Sequence, residues 1–289
     1  MITRETVKIV AENLGIQKGD IVLIHSSFKS LGEVENGAAD VIGGFSDAVG
    51  AEGTLVLPTF TQKNFGDAYD TWHLDKHSDT GYLTNYFRKL EGAVRSDQAT
   101  HSVAAIGKEA GYLTETHGHT AKRVGNMGDT PFASDSPWEK MYQRNAKVVL
   151  LGVDFMKVTF RHYAEYVYIE RCLKAIRDHP KYREMKDKLA DFNKRGVWPH
   201  VNNMWVYEEM TGKNQVTSAR CGNAPLLCFY AKDFVDLVLE ALEQRVQGVY
   251  WLCSVWDEGF YNWCDRLEEM KNGGNYSGHP LIENNIWGT

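Results

Sequence analysis

Three stretches of the chain carry side chains that could do chemistry. The most compact is His162-Tyr163-Ala164-Glu165. Residues three apart on a helix share a face, so Glu165 can accept a hydrogen bond from one imidazole nitrogen of His162. That contact fixes the tautomer and raises the basicity of the other nitrogen, as a general base requires. On spacing alone, an HxxE pair is more often a solvated helix face, and two ligands do not make a metal site. The second stretch is His25-Ser26-Ser27-Phe28-Lys29-Ser30-Leu31-Gly32. It supplies hydroxyls, backbone N–H groups, a cation and a flexible glycine, a set able to hold a phosphate-bearing ligand. A plain polar loop reads the same way, His25 fits a structural histidine equally well, and neither GxxxxGK[ST] nor GxGxxG occurs there. The third is Thr100-His101-Ser102-Val103-Ala104-Ala105-Ile106-Gly107, whose small residues admit a ligand or another backbone and also suit core packing.

The elements that must position these residues read as α/β. Val7, Val10, Ala11 and Leu14 recur at helical spacing and Gly15 follows as a stop. IVLIHSS is a short buried strand that delivers His25 and the polar loop. Residues 37–50 are helical, TLVLP at 54–58 and KVVLLGV at 147–153 are strands, and the stretch from Arg161 to about Ala175 is a helix. A strand–helix–strand order of this kind belongs to an α/β core, whose ligands sit at the carboxyl ends of the strands. Phe234, Val235, Val238, Leu239 and Leu242 mark a late helix, and VYWLCSV at 249–255 a last strand. Ser136 is placed to cap a helix beginning at Pro137-Trp138. Residues 60–100 read as loops, 177–200 as an exposed charged helix, and 270–289 receive no assignment. Trp251, Trp256 and Trp263 suit core or oligomer contact better than a binding platform.

Composition bounds the partners. Among 289 residues, 32 basic and 38 acidic side chains give a net charge of -6 with no basic block, which argues against nucleic acid. The five cysteines, Cys172, Cys221, Cys228, Cys253 and Cys264, form no CxxC pair, so reduced thiols and a cytoplasmic location are expected. The N-terminus does not read as a signal peptide, and no apolar run is long enough for a membrane span.

Taken together, the segments resemble the aminoglycoside 3-N-acetyltransferase family. The matching pieces are IHSSFKSLGEVENGAADVIGGFSDAVGAEGTLVLPTFT at 24–61, THSVAAIG at 100–107, DSPWEK at 135–140, KVVLLGV at 147–153, and T-x-x-H-x-x-E from Thr159 to Glu165, with a weaker CGNAPLL at 221–227. The resemblance runs to about residue 245. It implies the family's own α/β fold, with helices layered around a central sheet, and not the GNAT fold. It implies an N-acetyltransferase that takes its acyl group from acetyl-coenzyme A and acts on an amino group of an aminoglycoside or another amino sugar. His162 maps onto the general base and Glu165 onto its carboxylate; His25 is counted with them as a third catalytic candidate. Ser26, Ser27, Phe28, Lys29, Ser30, Leu31 and Gly32 map onto the loop along coenzyme A, and Ser102 and Val103 onto a segment near its pantetheine end. No metal is implied, and a homodimer is left open. One domain over 1–289 is expected, with an atypical charged insertion near 177–200 and a C-terminal extension after about 245.

The departures bear on the substrate. Where relatives often carry Leu-His-Pro, this chain has Asp97-Gln98-Ala99, and Val158, Phe160 and Arg161 replace small polar residues before the histidine. Arginine suits phosphate or carboxylate, so an anionic or nucleotide-linked amino sugar stands beside an aminoglycoside, unless Arg161 points to solvent. Two readings of other classes are a metal-dependent hydrolase using His25, His162 and Glu165, and a non-catalytic sugar-binding relative.

Overall fold

In the computed structural model the residues described are all except 62, 64–67, 69, 118–130, 195, 196, 198, 245, 247–251, 254–257 and 274–289. Three apolar runs make the centre of a seven-stranded sheet: β1 (Ile21–Ser26), β2 (Thr54–Pro58) and, later in the chain, β5 (Lys147–Leu151). β1 lies parallel to both of the others, pairing Leu23 with Val56 and with Val148. Strands covered on both faces are apolar at most positions, which is why these three read as nearly continuous runs. Outside them the pairing is antiparallel. β3 (Val94–Arg95) and β4 (Val103–Gly107) extend the sheet beyond β2. Beyond β5 lie β8 (Ala224–Tyr230) and β7 (Thr217–Cys221), giving the order β3-β4-β2-β1-β5-β8-β7.

Alternation along the strands divides the core in two. Val22, Ile24, Leu55, Leu57, Val149 and Leu151 pack with α1 (Arg4–Asn13) and α2 (Ala38–Val49). Leu23, Val56, Val148 and Leu150 pack on the other face in one cluster with α4 (Ala110–Thr114), α5 (Pro137–Gln143), α6 (Phe160–Ala175), α8 (Asn203–Gly212) and α9 (Ala231–Glu243). This is a three-layer arrangement with helices on both faces of the sheet. Local signals agree: Thr3 and Thr6 close a capping box on α1, Ser136 caps α5 through Glu139 N, and Gly15 stands at φ 85° beyond α1.

Several segments differ from the sequence-based expectation. The region 60–100 is not only loop, since it contains α3 (Tyr82–Phe87) and β3. The charged helix near 177–200 is α7 (Tyr182–Lys194), and it is amphipathic, with Met185 and Phe192 buried. They pack on α10 (Glu258–Lys271), whose Trp263 lies 6.1 Å from the Phe192 ring and donates its indole N–H to Met185 O at 3.0 Å. Beyond residue 245 the chain therefore contributes to the core, with Tyr168 of α6 donating to Glu268 at 2.6 Å. Of the strand expected at 249–255, the described residues hold β9 (Leu252–Cys253), which pairs with β6 (Pro199–His200) in a separate two-stranded ribbon. The other residues of that segment, Trp251 among them, and Trp256 beyond it lie outside the described residues.

One buried histidine ties loops to the sheet edge. The Val103 N–H donates to Ser96 Oγ at 3.0 Å, Ser96 Oγ lies 2.8 Å from His117 Nδ1, and His117 Nε2 lies 2.7 Å from Pro131 O. A neutral ring, accepting at Nδ1 and donating at Nε2, satisfies the whole chain. Burial pushes His117 down to about 4, against the opposing pull of the Pro131 carbonyl, and burial alone pushes His25 to about 4. Because the folded values lie below the unfolded one, the unfolded chain binds more protons between them. The stability these two rings contribute is present above about pH 6.5 and is lost as pH falls toward 4. Denaturant midpoints should fall across that window, and His117→Phe should flatten the dependence while lowering stability at pH 7. An unchanged slope in the variant would refute this account of His117.

Candidate active site

The parallel strands β1 and β2 end at Ser26 and Pro58, and the carboxyl ends of such strands are where α/β sheets leave a crevice. The chain returns to this edge after β5. Gly152 turns it at φ 64°, where a Cβ would come within 1.7 Å of Ser30 Oγ, and α6 then begins. The His162 N–H donates to Thr159 O at 2.9 Å, which sets His162 in the first turn of α6. Strand ends and helix start enclose a cavity of about 500 Å³, lined by His25, Ser26, Phe60, His101, Arg161 and His162 among others.

His162 and Glu165 meet as their spacing predicts. Nδ1 of the ring lies 2.8 Å from Glu165 Oε2. The carboxylate is fully buried, and its other oxygen accepts the Val201 N–H at 2.5 Å. An acceptor-only carboxylate requires the proton on Nδ1, which leaves the lone pair of the ring on Nε2. That nitrogen receives the Arg161 Nε–H at 3.4 Å. Burial, and then the charge of Arg161, hold His162 well below its ordinary value, so the ring is neutral near pH 7. Arg161 lines the cavity and is half-buried there.

A second histidine faces the same space. His101 packs between Phe60 and Phe132, with centroids at 4.9 and 5.0 Å, and lies 6.1 Å from the His162 ring. Gln98 fixes its backbone: Oε1 accepts the N–H groups of Thr100 and His101 at 2.9 and 2.5 Å. The departure at Asp97-Gln98-Ala99 thus supplies a clasp that shapes the turn. Burial, and then the neighbouring His162 and His117, hold His101 well below its usual value. Sequence reasoning named its segment and passed over the residue. Its signal was position, one residue before the pair at 102 and 103, on a turn whose direction no periodicity reveals.

Of the remaining site residues drawn from sequence, His25 and Ser26 line the cavity. His25 is buried, and its Nε2 has no hydrogen-bond partner. Residues 27–32 are folded as a 3₁₀ turn beside β5 and are not among those lining this cavity. The Ser27 N–H donates to Leu151 O and Ser30 Oγ–H to Ser27 O. Phe28 packs on Tyr82, Lys29 is exposed, Leu31 is core, and Gly32 stands at φ 86° against Asn223. Ser102 and Val103 also lie outside the lining. Ser102 Oγ donates to Thr59 O at 3.0 Å and Val103 is core. Among the described residues no group of three His, Cys, Asp or Glu side chains is placed to hold a metal ion, so the hydrolase reading finds no ligand set there. Among them, too, no helix is long and apolar enough to cross a membrane.

The cavity suits acetyl-coenzyme A in its chemistry. A thin arm of methylenes and amides needs apolar walls with scattered hydrogen-bond partners. Phe60, Met156 and Val158 supply the first, Ser26 and Thr80 the second. The unpartnered His25 Nε2 is a buried polar atom that an amide or carbonyl could satisfy.

Known proteins agree with this frame. Residues 23–243 match the family model described as aminoglycoside 3-N-acetyltransferase. The aminoglycoside N(3)-acetyltransferase III of Serratia marcescens is 27% identical over 274 residues, covering 85% of this chain and 98% of the relative. A prophage-derived aminoglycoside N(3')-acetyltransferase-like protein of Bacillus subtilis is 30% identical over 185 residues, 57% of this chain and 65% of the relative. In fold, the crystal structure of aminoglycoside acetyltransferase AAC(3)-IIb superposes with a TM-score of 0.65 at 22% identity, over 84% of this chain and 97% of that one. The AAC-IIIb binary structure with CoASH gives 0.64 at 17% identity over the same shares. The chain belongs to the aminoglycoside 3-N-acetyltransferase family of acetyl-coenzyme-A-dependent acyltransferases.

Proposed function

We propose that this chain transfers the acetyl group of acetyl-coenzyme A to a primary amine on an amino sugar, with His162 as general base. The observation that carries the reading is the Nδ1 contact to a fully buried Glu165, which aims the Nε2 lone pair into a cavity at the strand ends. The donor supplies an acetyl thioester that a neutral amine attacks directly. Because burial keeps His162 neutral, Nε2 is unprotonated near pH 7. As the C–N bond forms and the C–S bond breaks, Nε2 takes the amine proton, the proton that the departing sulfur requires. Glu165 steadies the imidazolium for the time it exists. This is base catalysis without a covalent enzyme species. Cys172, Cys221, Cys228 and Cys264 are buried, and burial pushes Cys172 and Cys228 to about 12, so none of these four serves as a thiolate nucleophile. His25 and Ser26 would hold the donor arm, and Phe60 and Phe132 keep water from the reacting face of His162.

Two outcomes test this. His162→Ala should lower kcat by about a hundred- to ten-thousand-fold, the usual worth of a general base, with calorimetric affinity for acetyl-coenzyme A intact. Glu165→Gln should also lower kcat, because an amide N–H facing Nδ1 reverses the tautomer. Near wild-type thiol release from the alanine variant would remove His162 from the mechanism. Separately, acetyl-coenzyme A at a hundredfold its Kd should stabilise the fold by about 2.7 kcal/mol. A melting scan should therefore show a rise of several degrees, and Ser26→Phe, which fills the strand-end wall, should abolish it. Equal rises in both proteins would displace the donor from this cavity.

A further inference from the structure

The lone pair on His162 Nε2, which the acceptor amine must reach, already receives a hydrogen bond from Arg161. A guanidinium cannot discharge itself by losing a proton. While it stays there it competes with the amine and opposes formation of the imidazolium. The base therefore works only when something draws the guanidinium away.

The surroundings of Arg161 say what that something is. The side chain is partly buried in the cavity wall, and among the described residues no carboxylate stands within ion-pair distance of it. Glu165, held on the far side of the His162 ring, is the carboxylate whose charge reaches the guanidinium, and a half-buried guanidinium with no anion in direct contact is an unfavourable arrangement that an incoming anion would relieve. Lys157 adds a second cation to the wall. The carboxylate that lines the cavity, Asp79, is already engaged, accepting the Lys63 N–H at 2.9 Å with Lys63 Nζ at 3.9 Å. A polycationic ligand meets two cations and an occupied carboxylate here, whereas a phosphate meets the two cations with its opposite charge.

We propose that Arg161 determines acceptor specificity by selecting an amino sugar that carries a phosphate, and that this phosphate draws the guanidinium off Nε2 and so frees the base. The inference rests on the acetyltransferase reading and names the substrate class for it. Free and nucleotide-linked sugar phosphates share the required group, and the acceptor panel distinguishes them.

The test compares kcat/KM for glucosamine, glucosamine 1-phosphate, a uridine-diphosphate-linked amino sugar and a kanamycin-type aminoglycoside, in wild type, Arg161→Gln and Arg161→Lys. Wild type should favour at least one phosphate-bearing amine over glucosamine by more than tenfold. Arg161→Gln should erase most of that preference while KM for acetyl-coenzyme A stays within twofold, and Arg161→Lys should restore part of it. A wild-type preference for the aminoglycoside overturns the proposal. So does a rise in KM for acetyl-coenzyme A with acceptor preference intact, which would assign the guanidinium to the donor's own phosphates. Calorimetric titration of the phosphate-bearing amines, without donor, separates this inference from the function it rests on. If wild type releases no thiol with any amine, the function fails. Binding of a sugar phosphate that weakens at least tenfold in Arg161→Gln would still support the anion site, and equal binding by both proteins would overturn it.

Discussion

A carboxylate with no exposed surface must have both oxygens satisfied, and Glu165 meets that demand through His162 on one side and the Val201 N–H on the other. The rest of the site hangs on this arrangement. Leaving a buried polar group unpaired costs about 1–3 kcal/mol, and more when it is charged, so the ring orientation of His162 is enforced by folding stability and not merely preferred. The same contact joins distant parts of the chain, because Val201 follows the ribbon strand β6 while Glu165 sits on α6. The charged segment before residue 200 is thereby coupled to His162.

The two-faced sheet explains why the reacting groups gather where they do. β1 is parallel to both neighbours, so its Ser26 end and the Pro58 end of β2 open on the same side. His25 shares the sheet face of Leu23 by strand alternation, the face against which α6 packs. Gly152 lets the chain turn against Ser30 without a Cβ, and α6 then starts close enough to put its first-turn histidine over the strand ends. Aromatic packing finishes the placement: Phe132 stands 6.1 Å from His162 and 5.0 Å from His101, and Trp138, against Phe60 and Phe132, donates to His101 O at 3.1 Å. These rings help to bury the histidines, and burial is the largest cause of their lowered pKa values.

Legibility in the sequence followed physical distinctness. The central strands were visible because burial on both faces forces nearly unbroken apolar runs, and α1, α2, α6 and α9 because one-sided burial forces a period of 3.6. β7 was not visible: Thr217–Cys221 is an edge strand whose residues are mostly exposed, so nothing constrains its pattern. β4 escaped because Val-Ala-Ala-Ile-Gly is equally good core filler in any conformation. The HxxE pair was legible because helix geometry converts three residues of spacing into contact. The loop 26–32 was legible as a turn, but spacing could not say that its middle would face β5 and leave the cavity to His25 and Ser26. For the same reason His101, and the Gln98 clasp that aims it, required three dimensions.

The electrostatics of the site pull in opposite directions. Burial keeps His162, His101 and His25 neutral, which keeps the lone pair unprotonated but weakens it as a base. Glu165 offsets this by stabilising the imidazolium once the proton arrives. Arg161 works against it, by covering Nε2 and by adding a like charge beside the cation that must form. A site built only to deprotonate amines would place a neutral residue at 161, next to the base. A cation there is tolerable if the charge it opposes forms only when an anion is already present. On that logic the low basicity of His162 without a ligand is the off state of the site. The anion that pairs with Arg161 both vacates the lone pair and removes the repulsion, so base strength becomes conditional on the acceptor that is bound.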